Sequence, residues 1–419
     1  MASGANQPTE RVLSEPPHSS LLDLLSNTIV LHETILFLPV SDLLHLAATS
    51  KDLRNLLYQT PGVFRHVDLT TIKSAQFDVA AIDHGGQVWR NVQLDENLTE
   101  DEFYSGPLRG IFYSLRRIDI LRDVQTLVLD GLSVTADLIN DILVDPKYQV
   151  RILSIRETKN LNERRLMQSL RYACRPSRPE GTPRLRGLYV INWNHKSTHA
   201  LKEAINADGD EWYQQKGKII TKPITDGWAE TLLDCRGAVQ FDATLCTGPR
   251  HRNSSAVGKV SVPSVPGAQH PYNVANFALG GCANCGCAPE GFTVYGDSPS
   301  GELPLLSPMP LHSSNVKTAS RPQACKSGNN ETPKFVPRCW DCIRDRFCFS
   351  CREWWCESCY QPKIKRDCWE CLTNCLDCIA QTQLRCRCCG GGYCIVHYEG
   401  STETLCDCKL NLGTAKATN

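Results

Sequence analysis

The amino-acid sequence predicts a multidomain α+β protein: a short helical segment, then an irregular α/β repeat array, then a small cysteine-rich module stabilised by metal ions. Three observations lead there. Leucines at near-helical spacing, punctuated by prolines, fill residues 20–68. One set of apolar offsets then recurs five times between Phe64 and Val190. Finally, 16 of the 23 cysteines fall between Cys339 and Cys408.

A chain of 419 residues is too long for one ordinary core, and two to three domains is the natural expectation. Its 45 basic and 45 acidic side chains balance, whereas a dedicated nucleic-acid binder usually carries a basic excess. The most apolar window, Leu21 to Val40, is broken by Asp23, Asn27, His32 and Glu33, so it does not suit a bilayer span. Residues 1–19 are polar and Pro/Ser-rich, in keeping with a disordered tail rather than a secretion signal, and 411–419 form a second tail. These features predict an intracellular protein of the cytoplasm or nucleus. In that reducing setting a dense thiol cluster reads as metal ligands before disulfides.

In the helical segment, Leu25, Ile29, Leu36 and Leu38 supply apolar positions until Pro39 stops the pattern. It restarts at PVSDLLHLAATS, with Asp42 in a first turn where the helix dipole favours an anion. A third helix, carrying Leu53, Leu56 and Leu57, ends at Pro61-Gly62. Three short helices cannot enclose a large core, so their apolar surface needs a partner, either the next domain or another protein.

From Phe64 the offsets are Phe64/Val67/Leu69, Trp89/Val92/Leu94, Val124/Leu127/Leu129, Val150/Leu153/Ile155 and Leu185/Leu188/Val190. Each reads as a short strand, and helical stretches follow two of them: VTADLINDILV, and NLNERRLMQSLRYA with Asn160 and Glu163 as a capping box. The strand centres step by 25, 35, 26 and 35 residues. That rhythm predicts an irregular leucine-rich-repeat-like array over 69–235, with an ordinary five-stranded α/β domain as the alternative. Residues 236–335, dominated by Pro, Gly and Ser, read as a linker interrupted by a small island, Cys282-x-x-Cys285.

The segment 336–410 carries five tandem CxxC pairs: Cys339/Cys342, Cys348/Cys351, Cys356/Cys359, Cys368/Cys371 and Cys375/Cys378. Two residues between thiolates let both sulfurs of a tight turn reach one ion, and two such turns complete a tetrahedron. Cys386, Cys388, Cys389, Cys394, His397, Cys406 and Cys408 follow, and YCIVH has the form of a second zinc knuckle. From Cys339 onward, with His397, there are seventeen candidate ligands, enough for about four Zn2+ ions with one over; Cys388 or Cys389 is the spare. Cys282 and Cys285 join this set or make a further site. Interleaved and sequential pairings both fit the spacing. Few Leu, Ile or Val separate the cysteines, so metal rather than apolar burial accounts for folding, at about 10–16 kcal/mol per structural zinc.

The stretch LSNTIVLHETILFLPVSDLLHLAATSKDLRNLLYQTPGVFRHVDL resembles the F-box. The likeness runs through Leu25, Leu38-Pro39, Asp42-Leu43-Leu44, Ser50-Lys51, Leu53, Pro61, Phe64-Arg65 and Val67. It departs at Ser26, where the family has its first proline, and at Phe64, where tryptophan is common. With the cysteine-rich CREWWCESCY the whole layout is similar to fungal F-box proteins. The resemblance implies docking on the Skp adaptor of a cullin complex through Leu25, Ile29, Leu38, Pro39, Leu43, Leu44 and Leu53, with the array choosing a protein substrate. The expected function is therefore a non-catalytic substrate receptor of a ubiquitin ligase. The alternative is a RING-like or RING-between-RING-like ligase acting through the zinc module, which for a thioester step needs a thiolate outside the metal shells. A nucleic-acid role through Lys363, Lys365 and Arg366 is the weakest reading, because Asp367 and Glu370 follow at once.

Overall fold

The computed structural model describes residues 20–76, 99–190, 218–219, 224–262, 270–294, 334–348, 350–361, 364–365, 374–395 and 402–406. The expected strand at Trp89/Val92/Leu94 and both tails lie outside these residues.

The N-terminal segment forms α1 (Leu21–Ser26), α2 (Thr28–Thr34), α3 (Val40–Thr49) and α4 (Lys51–Gln59). Each start has a local cause. Ser20 and Asp23 make a reciprocal capping box, and the Asn27 and Ser50 side chains accept from the first free N–H groups of α2 and α4. Pro39 opens α3, where its fixed φ costs nothing and no donor is missed. One face of the segment joins the neighbouring core, with Leu25, Leu31, Leu43, Leu53 and Leu57 buried alongside Val67 and Leu127. Gly62 and Phe64 donate their N–H groups to the Asp123 carboxylate, which clamps the end of the segment to the next domain.

That domain is a parallel sheet laid down in chain order: β1 (His66–Asp68), β2 (Thr126–Val128), β3 (Ile152–Ser154), β4 (Gly187–Tyr189) and, beyond β5 (Lys218–Ile219), β6 (Gln240–Phe241). β1, β2, β3, β4 and β6 each pair with the next in that order, in a register that runs His66, Thr126, Ile152, Gly187, Gln240 across the sheet. The recurring offsets are the inward positions, and Val67, Leu127, Leu153 and Leu188 are fully buried. The same triple recurs at Ala238/Phe241/Ala243, all buried, so the sheet runs past the expected boundary at residue 235. Helices α5 (Glu100–Arg117), α6 (Ala136–Val144), α7 (Glu163–Ala173) and α8 (Trp228–Asp234) form the covering layer. The cap of α7 is Asn162 rather than Asn160, whose positive φ instead turns its amide onto Ser133.

Residues 236–335 are not simply a linker. Their described parts supply β7 (Phe277–Leu279) and β8 (Thr293–Val294), which with β5 and β9 (Lys334–Arg338) make an antiparallel sheet in the order β5-β7-β9-β8. After it come α9 (Trp340–Ile343), the hairpin β10 (Ile364–Lys365) with β11 (Asn374–Cys375), α10 (Leu376–Thr382), and the hairpin β12 (Gln383–Arg385) with β13 (Gly392–Cys394). The cysteine-rich region does bury a small core, contrary to expectation. Phe277, Val336, Ile343, Phe347 and Trp354 meet there, and five of its twelve buried members are the cysteines themselves. No helix among the described residues is long and apolar enough to cross a membrane.

Candidate metal centres

Four groups of side chains bring their donor atoms within 4.8 Å of one another. Group I is Cys246, His251, Cys339 and Cys342; group II is Cys282, Cys285, Cys356 and Cys359; group III is Cys348, Cys351, Cys375 and Cys378; group IV contains Cys386, Cys389 and Cys406. A tetrahedral ion about 2.3 Å from each thiolate sets neighbouring sulfurs about 3.8 Å apart. The observed Sγ–Sγ separations are 3.8 Å for Cys246–Cys342, 3.7 Å for Cys285–Cys356, 3.9 Å for Cys351–Cys375 and 3.5 Å for Cys389–Cys406. A disulfide would need about 2.05 Å. The three four-donor sets fit a tetrahedral ion, group IV supplies three of its donors, and none of the four fits disulfides.

Along the chain the pairs alternate: I, II, I, III, II, III. The two arrangements left open by spacing resolve into the interleaved one. Cys282 and Cys285 make no separate site but close group II with Cys356 and Cys359. With this interlocking, segments that help form one of the first three groups also help form another.

Local backbone prepares three of the turns. Gly286, Arg352 and Gly390 follow the second cysteine of their knuckles, all with φ between 61° and 70°. That left-handed step turns the chain back over the sulfurs, and backbone N–H groups then point at them. Cys386 accepts from the N–H groups of Cys389, Cys406 and Cys388, which pull its thiol down to about 6, so the anion that metal requires is already favoured. At Cys246 burial pushes upward, yet its hydrogen bonds with Cys339, Cys342 and His251 outweigh it and hold the thiol well below its ordinary value.

Group I is the most enclosed, with all four donors buried. The His251 Nδ1–H faces the His270 carbonyl at 3.1 Å, which leaves Nε2 to approach Cys339 at 3.2 Å and Cys342 at 3.4 Å. Fixing one imidazole nitrogen in this way selects the tautomer that can ligate. Gly248 is required here: a Cβ at that position would lie 2.6 Å from the Cys342 Sγ. A buried ion-pair network ties the first three groups together. The Arg338 guanidinium pairs with Glu290 and, at 3.4 Å, with Glu357, and Arg346 meets the other Glu357 oxygen at 3.1 Å. Burial opposes the Arg338 charge, but the carboxylates of Glu357 and Glu290 hold its pKa above the ordinary value.

Among the expected ligands, Cys282, Cys285, Cys339, Cys342, Cys348, Cys351, Cys356, Cys359, Cys375, Cys378, Cys386, Cys389 and Cys406 are all brought into these groups. Cys394 is buried on β13 opposite Gln383, and its sulfur is not among the donors grouped from the described residues. Cys368, Cys371, His397 and Cys408 lie outside the described residues, as do Lys363 and Arg366 of the suggested basic patch. Cys246 and His251 were missed. The available signal was CTGPRH, a Cys-x4-His pair standing alone about 90 residues before its partners.

The adaptor residues need a correction. Leu25, Leu43 and Leu53 are buried in the shared core, and Leu38 and Leu44 are half-buried against it. Ile29 and Pro39 are exposed. The large apolar side chains of the segment that stay exposed are instead Leu21 (55 % exposed), Leu24 (53 %), Ile29 (74 %) and Phe37 (80 %). The helical segment uses the buried face to join the sheet domain, which the period alone could not separate from a docking face. No protein-family model matches the chain, and neither does any curated protein or solved structure.

Proposed function

We propose that this chain is a non-catalytic substrate receptor of a Skp-cullin-F-box ubiquitin ligase, with a leucine-rich-repeat-like array behind its docking helices and structural Zn2+ ions in its cysteine-rich module. The observation that carries the reading is that Leu21, Leu24, Ile29 and Phe37, all in the short N-terminal helical segment, are each left exposed. Four large apolar side chains this exposed within one short segment suit a surface that a partner covers. Zinc is the ion that best suits three-cysteine-plus-histidine and four-cysteine tetrahedra in closed structural sites. Strands of the parallel sheet paired in chain order support the array reading.

The test is co-purification with the Skp adaptor. Wild-type protein should retain it, and replacing Ile29 and Phe37 together with Asp should abolish it with circular dichroism and metal content unchanged, since both side chains are exposed. Absence of adaptor from the wild type, or its persistence on the double variant, removes the reading.

A further inference from the structure

Where the last described helix of the parallel sheet domain meets metal group I, the surface opens into a cleft of about 630 Å3. One wall is the Ile224–Glu230 segment leading into α8, the floor is the 270–276 strand-and-loop, and the far edge is Asp341 on α9. The floor is not a loose loop. The Asn273 carbonyl accepts from the Cys246 N–H at 2.8 Å, the His270 carbonyl orients His251, and the Asn276 Oδ1 accepts from the Trp340 N–H at 3.4 Å. The residues that shape the cleft are thus held by the ligands of group I, which makes it a preformed recess at a domain junction, where ligand sites concentrate.

Its chemistry is acidic. Asp226 is exposed and Glu230 half-buried, and neither makes an ion pair among the described residues. Asp341 lies 4.0 Å from Arg344 and also acts electrostatically on His251. The one arginine of the lining, Arg171, is already occupied: it donates to the Thr231 hydroxyl and the Gly227 carbonyl and pairs with Asp234. Three carboxylates therefore face the opening beside Ile224, Tyr272 and Val274. An aliphatic stem ending in a cation meets both needs, lying along the apolar wall with its charge on the acids and over the tyrosine ring.

We propose that this cleft binds a lysine- or arginine-bearing extended segment of a partner protein. The inference deepens the receptor reading by naming the class of substrate segment, and rests on that reading only for its setting.

The experiment uses the full-length, metal-loaded protein and three fluorescein-labelled peptides of equal length, one Lys/Arg-rich, one with those residues replaced by Gln, and one with Glu in their place. Fluorescence anisotropy should show binding of the basic peptide alone, weakening as salt screens the charges. The double change Asp226→Asn and Glu230→Gln should weaken it by about tenfold or more, with zinc content and circular dichroism unchanged. Reversal with Asp226→Lys and Glu230→Lys should transfer the preference to the Glu peptide. Binding of none of the three, equal binding of all three, or an unaltered affinity in the double variant overturns the proposal. Adaptor co-purification from the same preparations reports separately on the receptor reading, because exposed Ile29 and Phe37 are not touched by these changes.

Discussion

The parallel sheet and the cysteine-rich module solve the same problem with different materials. In the first, Leu127, Leu153, Leu166 and Leu188 are fully buried, each contributing about 1.5–3 kcal/mol through burial alone. In the second, Cys246, Cys339, Cys348 and Cys356 occupy the equivalent interior positions. Their side chains are too small to repay the ordering of so much loop by apolar burial. Order there rests on donor groups suited to metal ions, reinforced by Arg338, Glu290 and Glu357 as a buried charge network. The first kind of core tolerates loss of one member, because its neighbours still exclude water. The second is held at a few points, and each point is shared.

The sharpest way to break this comparison is removal of metal. A chelator should unfold the region from Cys246 onward while the helices and strands between Leu21 and Tyr189 keep their circular dichroism and resist protease, because loss of about 10–16 kcal/mol per site leaves the module nothing to fall back on. A chain that keeps its cysteine-rich region folded after complete metal removal would show that the Phe277, Ile343 and Trp354 core suffices by itself.

A smaller effect separates the two materials residue by residue. Cys246→Ser should lose one ion by elemental analysis and loosen the junction between the two regions, since Cys246 lies just past the last strand of the parallel sheet, which ends at Phe241. Leu153→Ala should cost about 2–5 kcal/mol in denaturant melts and lose no ion. Equal ion loss from both changes would mean that the regions fold as one unit and the contrast is wrong.

How much of this was legible depended on sequence range. The offsets Val124/Leu127/Leu129 announce a strand because a strand is local, and the pairing of successive strands follows from their order. CxxC turns are local as well. What the sequence hid was joined over distance: Cys246 with Cys342, Cys282 with Cys356, and Asp123 with Gly62. Helix α5 was hidden for another reason. It runs through Gly106, Pro107 and Gly110, all helix-weakening, and persists because Leu108, Phe112 and Leu115 are buried. Composition misled at 236–335, where prolines and glycines mark turns between short strands as much as they mark linker. The docking face was only half legible, since helical period shows that a leucine is inward without saying which core it faces.

The smallest expected effect lies in group IV and concerns neighbours in one turn. Cys388 and Cys389 are both exposed, so burial does not distinguish them. Geometry does. The Cys389 sulfur lies 3.5 Å from Cys406 and accepts the Gly391 N–H, whereas Cys388 contributes its backbone N–H to Cys386 and its side chain is not among the grouped donors. Cys388→Ser leaves that N–H in place. It should keep every ion and change stability by no more than about 0.5 kcal/mol, as for other exposed positions away from special features. Cys389→Ser should lose one ion and release the 402–406 segment, seen as new protease sensitivity near Leu405. If Cys388→Ser is the variant that loses an ion, the ligand in this turn is the other cysteine, and the left-handed step at Gly390 serves a different knuckle from the one assigned here.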